Sequence, residues 1–195
     1  SEKTQRQEHK EIRAVYTDHS VRVYQAFREE IAEEAVRLGT FGPHFGIERM
    51  TWIKPSFLWM MYRSGWAQKE GQEHILAIDI KRDAFDWLLE NAMLSVYFPN
   101  CGMTQEEWSR RVKQSDVRCQ WDPERDPHGR PLPWRSVQLG IRRKVSERYV
   151  GDWILHIDDI TPLVKTIKQA LDNDEDISAL LPREEVYPMT QAARD

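Results

Sequence analysis

The sequence predicts a single α+β domain in which helices pack on a mixed or largely antiparallel sheet. Segments of alternating apolar residues, typical of strands, are mixed with segments that have helical spacing, but strands and long helices do not alternate regularly. The chain has 195 residues, of which 40% are hydrophobic and 10% aromatic, enough for one sizeable core. We expect residues 11–171 to form the domain, between a flexible N-terminal segment over 1–10 and an acidic, peripheral C-terminal segment over 172–195.

The first part of the chain is predicted to form two short strands, a helix and a loop. Alternation predicts strands over 12–16 and 21–24, separated by a polar turn. Apolar residues at helical spacing predict an amphipathic helix over 25–38, which Gly39 ends. The loop over 39–48 is rich in glycine, but it lacks the preceding strand and following helix of a dinucleotide-binding fingerprint.

The stretch over 49–66 is the most unusual part of the sequence, because it holds three of the eight tryptophans and three of the six methionines. It predicts a short strand over 50–53, followed by a helix with Pro55 in its first turn and Gly65 at its end. Since this helix has apolar residues on most sides, we expect it to be buried.

The rest of the chain continues the mixture of strands and helices. A Thr-x-x-Glu capping box marks the start of one polar helix, and three prolines interrupt the pattern in a long turn. The predicted elements are, in order, a strand over 74–80, a helix over 83–92, a strand over 94–98, a helix over 104–114, a strand over 117–121, a turn over 122–131, a strand over 134–141, a short basic helix or turn over 142–149, a strand over 153–157 and a helix over 161–171.

The composition argues against several classes of protein. A net charge of −4 disfavours broad affinity for nucleic acid or anionic membranes, although it leaves room for a local basic groove. The six histidines and two cysteines are not at zinc-ligand spacing, so we expect no metal site. The N-terminal residues lack the apolar core of a signal peptide, and the longest apolar run, over 57–62, is too short to span a membrane. We therefore expect a reduced, cytoplasmic protein without a membrane partner.

The cations in the central stretch indicate a candidate anion site. The free N–H groups at the start of its helix, with Ser56, form the type of N-terminus that attracts phosphate or carboxylate. The alternative is a core helix whose cationic side chains reach out to water. The candidate cofactor-binding residues are Arg49, Thr51, Trp52, Lys54, Ser56, Tyr62 and Arg63, together with Arg22 and Gln25 upstream.

A second stretch carries carboxylates at or just past the end of a predicted strand. Asp122 or Glu124 could act as a general base or stabilise a cationic transition state. A salt-bridged turn stiffened by proline is the alternative interpretation. The candidate catalytic residues are Gln120, Asp122 and Glu124, and the candidate substrate-binding residues are Arg125, Arg135 and Gln138.

Several motifs resemble a known family. They are the run from Arg49 to Arg63 with Val23-Tyr-Gln-Ala upstream, then Gln120-Trp-Asp-Pro-Glu-Arg, then Arg135-Ser-Val-Gln-Leu-Gly. Together they resemble the family catalogued as domain of unknown function 4291, over about residues 10–171. This resemblance implies no particular activity.

The order of elements also resembles an ADP-ribosyltransferase-like fold, which implies an NAD-dependent enzyme that transfers a glycosyl or ADP-ribosyl group. Such folds have a polar anchor on the first strand, a Ser/Thr or aromatic motif that leads into a helix, and a late glutamate. The sequence has no Ser-Thr-Ser or His-Tyr-Glu set. The residues that match these places are Arg22 or Gln25, Thr51 with Ser56, and Glu124.

Two functions follow from these patterns. The first is a nucleotide-binding enzyme with NAD as the candidate cofactor, in which Arg49 and Lys54 hold phosphate and Glu124 stabilises a ribosyl cation. In this function Trp52 or Tyr62 stacks on a base or nicotinamide ring. The second is a non-catalytic module for nucleic acid or a protein partner, in which aromatic rings stack on bases. A plainer interpretation places most of the tryptophans in the core.

Overall fold

A computed structural model describes residues 9–99 and 101–189 of the chain. It confirms the predicted α+β class, because helices pack on sheets in which every strand pair is antiparallel except one. In the described ranges the strands are β1 (Arg13–Ala14), β2 (Ser20–Phe27), β3 (Thr51–Ile53), β4 (His74–Lys81), β5 (Met93–Leu94), β6 (Val117–Arg125), β7 (Pro131–Ile141), β8 (Ile154–Asp159) and β9 (Glu185–Val186).

The helices begin and end largely where local signals predict. The Thr104 hydroxyl accepts a bond from the Glu107 N–H, and the Glu107 carboxylate accepts one from the Thr104 N–H, which completes the predicted capping box. Gly65 ends the central helix in the left-handed conformation, with φ 59°. The helices are α1 (Glu29–Leu38), α2 (Phe57–Ser64), α3 (Arg82–Asn91), α4 (Gln105–Gln114), α5 (Arg143–Arg148) with a π-helical turn over Tyr149–Trp153, and α6 (Thr161–Asp172).

Two sheets meet beside the central stretch. One has the strand order β2-β4-β8 and the other β3-β7-β6-β5, in which only β5 and β6 run parallel. The two sheets are joined where Tyr24 and Lys54 exchange backbone hydrogen bonds of 2.8 and 3.3 Å. This junction brings β2, β3 and α2 together around one opening.

Several sequence-based boundaries are wrong. Only Arg13–Ala14 forms a strand where one was expected over 12–16. Residues 25–27 continue β2, because they stay paired with β4, and α1 starts only at Glu29. Only Met93–Leu94 pairs as a strand where one was expected over 94–98. Strand β6 continues to Arg125, so Glu124 lies within a strand and not in a proline-rich turn.

The turn between β6 and β7 is shorter than the predicted 122–131, because the pairing of the two strands continues as far as Arg125 and Pro131. Asp122 and Pro123 pair with Ser136 and Arg135. A register shift after Pro123 accommodates the missing N–H of that residue. The remaining turn is closed by Asp126, whose carboxylate accepts bonds from two backbone N–H groups.

The residues after 171 contribute to the packed structure. Ile177 and Tyr187 are buried, and β9 pairs with β1. The Tyr187 hydroxyl also donates to the Asp86 carboxylate. The expectation of a peripheral segment after residue 171 therefore does not describe this part of the chain. Within 9–99 and 101–189, no helix has the length and apolarity needed to cross a membrane.

Candidate functional site

A cleft of about 830 Å³ opens between the end of β2, the strand β3, the helix α2 and the middle of β6 and β7. Its size falls within the usual range for small-molecule sites. Most of its lining is polar, cationic or aromatic. The side chains that define it are Gln25, Arg49, Thr51, Trp52, Lys54, Trp59, Tyr62, Arg63, Lys69, Gln72, Gln120 and Gln138.

The cleft is strongly cationic. Arg49, Lys54, Arg63 and Lys69 line it, and no aspartate or glutamate is among its lining residues. Arg49 and Arg63 are exposed, and neither makes an ion pair with any described residue. Their guanidinium groups are therefore available to an anion from solvent, which such groups bind with two parallel hydrogen bonds.

Lys54 lies deepest of these cations and is only 6% exposed. Its Nζ donates to the Trp52 carbonyl at 3.2 Å and lies 5.4 Å from the centre of the Trp59 ring. The pKa of Lys54 is lowered to about 7, chiefly by burial and also by the charge of Arg63, against the opposing attraction of Asp122. At neutral pH a large fraction of this amine is thus uncharged.

Asp122 lies behind the cleft wall and is held by two amides. Gln120 and Gln138, which are directly opposite each other on β6 and β7, donate to its two oxygens at 2.9 and 2.8 Å. Both glutamines line the cleft, whereas Asp122 is not among the lining residues. The carboxylate therefore positions two amide side chains at the cleft surface.

Gln25 anchors the opposite wall. Its side-chain N–H₂ donates to the Thr51 hydroxyl at 2.8 Å and to the Trp52 carbonyl at 3.3 Å, and its oxygen accepts a 2.8 Å bond from Tyr149. Trp52 itself lies against Gly140, where an added Cβ would be 3.0 Å from the indole ring. The absence of a side chain at this position lets the indole rest on β7.

Replacing Tyr149 by phenylalanine is expected to lower the free energy of unfolding by about 1 to 3 kcal/mol, because it leaves the buried oxygen of Gln25 without a donor. Tyr149 is fully buried, so water cannot readily replace the lost hydroxyl. Urea unfolding measures the change. Tyr62→Phe is the matched control, since Tyr62 is exposed, and an equal effect of both substitutions would contradict this role of Tyr149.

The N-terminus of α2 is occupied by the protein's own side chains. The Ser56 hydroxyl accepts a bond from the Trp59 N–H and donates to Glu124 at 2.9 Å. The Phe57 N–H donates to the Glu184 carboxylate at 3.1 Å. This helix end therefore holds internal carboxylates and lies outside the cleft lining.

Burial raises the pKa of Glu124, although bonds from the Arg125 N–H and from Ser56 oppose the shift. Burial also raises the pKa of Glu184 to about 8, with the neighbouring Glu124 charge adding to the effect and the Phe57 N–H opposing it. Burial therefore favours the protonated form of both carboxyl groups near the start of α2.

The structure brings most of the sequence-based candidates to the cleft and leaves others elsewhere. Arg22 forms a bidentate pair with Asp79 between β2 and β4. Arg125 stacks on the Tyr62 ring, 4.1 Å from the ring centre, and Arg135 donates to the Trp121 carbonyl. The candidates outside the lining are Arg22, Ser56, Asp122, Glu124, Arg125 and Arg135.

Sequence reasoning missed seven residues of the cleft lining, of which four are the apolar Ala26, Phe27, Met50 and Met60. Trp59 lies one helical turn from Tyr62 and Arg63, so the same spacing that selected them could have selected it. Lys69 and Gln72 follow α2 in a turn that folds back beside the cleft, and no local pattern marks them.

The described residues offer no group of three histidine, cysteine or carboxylate side chains placed to hold a metal ion. Cys101 and Cys119 are both free thiols.

The comparison with known proteins identifies a family. No curated protein matches the chain. A family model matches residues 11–187, which include every cleft residue as well as β1 and β9. The chain therefore belongs to the family described as domain of unknown function (DUF4291).

Proposed function

We propose that the cleft binds a nucleotide through its phosphate groups, with NAD as one candidate. The observation that carries this proposal is the convergence of Arg49, Lys54, Arg63 and Lys69 on one cleft without an acidic residue in its lining. Arg49 and Arg63, which make no ion pair with a described residue, favour a ligand with more than one negative charge.

The aromatic lining supports the nucleotide part of the proposal. Trp52, which is half-buried, and Tyr62, which is exposed, line the cleft, and a base or a nicotinamide can stack on their rings. The amides of Gln120 and Gln138 supply acceptors and donors for the polar edge of such a ring or for ribose hydroxyls. A phosphate alone would leave these surfaces unused.

An NAD-dependent ADP-ribosyl transfer is the enzymatic form of this proposal, with Glu124 stabilising positive charge on the ribosyl carbon. Against it, the Glu124 carboxylate accepts bonds from Ser56 and from the Arg125 N–H, and it does not line the cleft. The geometry favours nucleotide binding over glycosyl transfer. We therefore place binding first, and NAD is tested as one ligand among several.

A thermal-shift screen tests the proposal with matched pairs of ligands. NAD, ATP and GTP are compared with adenosine and guanosine, which keep the rings but lack phosphate. A nucleotide at 100 times its dissociation constant should add about 2.7 kcal/mol of stability, or about 5 to 10 °C in Tm. The nucleosides should produce much smaller shifts.

The same screen includes short single-stranded oligonucleotides, because a nucleic-acid module is the alternative function. Such a module needs cations that contact the nucleic-acid backbone. Arg110, Arg111 and Lys113 of α4 are exposed and could serve, but Arg142 and Arg143 pair with Asp116 and Glu48. A shift with oligonucleotides but with no mononucleotide would favour this alternative. No shift with any ligand would contradict both functions.

A further inference from the structure

Lys54 differs from the other cations of the cleft in being buried without a counter-ion. The described residues place no carboxylate within ion-pair distance of its Nζ, whose hydrogen-bond acceptor is the Trp52 carbonyl. An isolated ammonium group is costly to bury, so this environment favours the neutral amine. A neutral lysine amine that faces a ligand cleft is a nucleophile.

The groups around the amine reinforce its neutral form. Arg63 of α2 repels a charge on Lys54, and the attraction of Asp122 on β6 does not offset burial. The Asp122 oxygens are already engaged by Gln120 and Gln138. Exposed lysines lack these conditions and stay charged at neutral pH.

We propose that Lys54 forms an imine with the carbonyl carbon of an aldehyde or ketone that carries a phosphate group. This inference rests on the proposed function, because Arg49, Arg63 and Lys69 would bind the phosphate and hold the carbonyl near the amine. The ligand class is thus a phosphate ester that carries a free aldehyde or ketone, such as a sugar phosphate.

Formation of the imine requires no oxidant or reductant. The Lys54 nitrogen lone pair forms a bond to the carbonyl carbon, and the carbonyl π electrons move to oxygen. One proton passes from nitrogen to that oxygen and gives a carbinolamine. Loss of the hydroxyl group with the second nitrogen-bound proton releases water and forms the C=N bond.

Trapping with borohydride tests the inference on the whole protein. The probe is pyridoxal 5′-phosphate, used only as a phosphate-bearing aldehyde, and pyridoxal is the control without phosphate. Hydride from borohydride converts any imine to a stable secondary amine that peptide mass spectrometry locates. Lys54 should be labelled at least 10-fold more efficiently by the phosphorylated aldehyde than by pyridoxal, and ATP should protect it.

The pH dependence and the variants separate Lys54 from ordinary lysines. Its labelling should reach half its maximum near pH 7, whereas exposed lysines need pH values near 10. Lys54→Met should lose the labelled peptide, and Lys113→Met, at an exposed position of α4 outside the cleft lining, should keep it. If Lys54→Met fails to fold, peptide mapping of the labelled wild-type protein still shows whether Lys54 is the modified residue.

Nucleotide binding and labelling of Lys54 are measured separately. Nucleotide binding without labelling of Lys54 would overturn the inference alone. Absence of nucleotide binding would overturn the proposed function. Equal labelling by both aldehydes would contradict a phosphate-bearing ligand, and label spread evenly over the exposed lysines would contradict a special reactivity of Lys54.

Discussion

Replacing Arg49 and Arg63 together by alanine is expected to weaken nucleotide binding by about 100-fold. Each hydrogen bond from a charged donor is worth about 1.5 to 3 kcal/mol, and two of the smaller size correspond to about that factor. Both side chains are exposed and without internal ion pairs among the described residues, so their loss should leave the free energy of unfolding within about 0.5 kcal/mol of wild type. Isothermal titration calorimetry measures the affinity.

The matched control is Arg110→Ala with Arg111→Ala on α4. This double variant removes the same charge from residues that do not line the cleft, so it should retain wild-type affinity for a mononucleotide. If the α4 variant lost as much affinity as the cleft variant, general electrostatic attraction would explain binding. Unchanged affinity in the cleft variant would contradict the assigned phosphate contacts.

Glu184→Gln is expected to stabilise the protein by about 2 to 4 kcal/mol at pH 8, and the gain should shrink toward pH 4.5. The pKa of Glu184 is raised from 4.5 to about 8, chiefly by burial. Between these values the folded state holds a proton that the unfolded chain releases. The free energy of unfolding of the wild-type protein should therefore fall as pH rises through this window.

Glutamine keeps an oxygen that can accept the Phe57 N–H bond, but it carries no charge near Glu124. Denaturant unfolding at several pH values between 5 and 8.5 measures the difference. Glu185→Gln is the control at an exposed neighbour and should change stability by less than about 0.5 kcal/mol. A gain for Glu184→Gln that does not vary with pH would contradict the raised pKa.

Local signals in the sequence predict the elements around the cleft well. The serine and glycine that cap α2 act within one or two turns of the chain, so Ser56 and Gly65 mark the helix ends without knowledge of the fold. The cations and aromatic residues of this stretch are predicted as site residues from composition alone. They lie together in the structure because β3 and α2 are adjacent in sequence.

The rest of the site depends on contacts between distant residues, which no local pattern reveals. The sequence predicts Glu124 as a catalytic carboxylate, whereas in the structure it accepts a hydrogen bond from the Ser56 hydroxyl at the start of α2. The sequence also predicts an anion site at the start of α2. In the structure the Phe57 N–H there donates to the Glu184 carboxylate, which lies 127 residues away along the chain. Long-range pairing also extends β6 and β7 through the prolines, which as local signals predict a turn.

The most direct test of the central claim is a calorimetric titration of the wild-type protein with ATP, with NAD and with adenosine, each at low and at high salt. We expect one site per chain for the nucleotides, an affinity that falls as the salt concentration rises, and at least 10-fold weaker binding of adenosine. Binding of adenosine as tight as that of ATP, or no binding of any nucleotide at low salt, would contradict a phosphate-binding cleft.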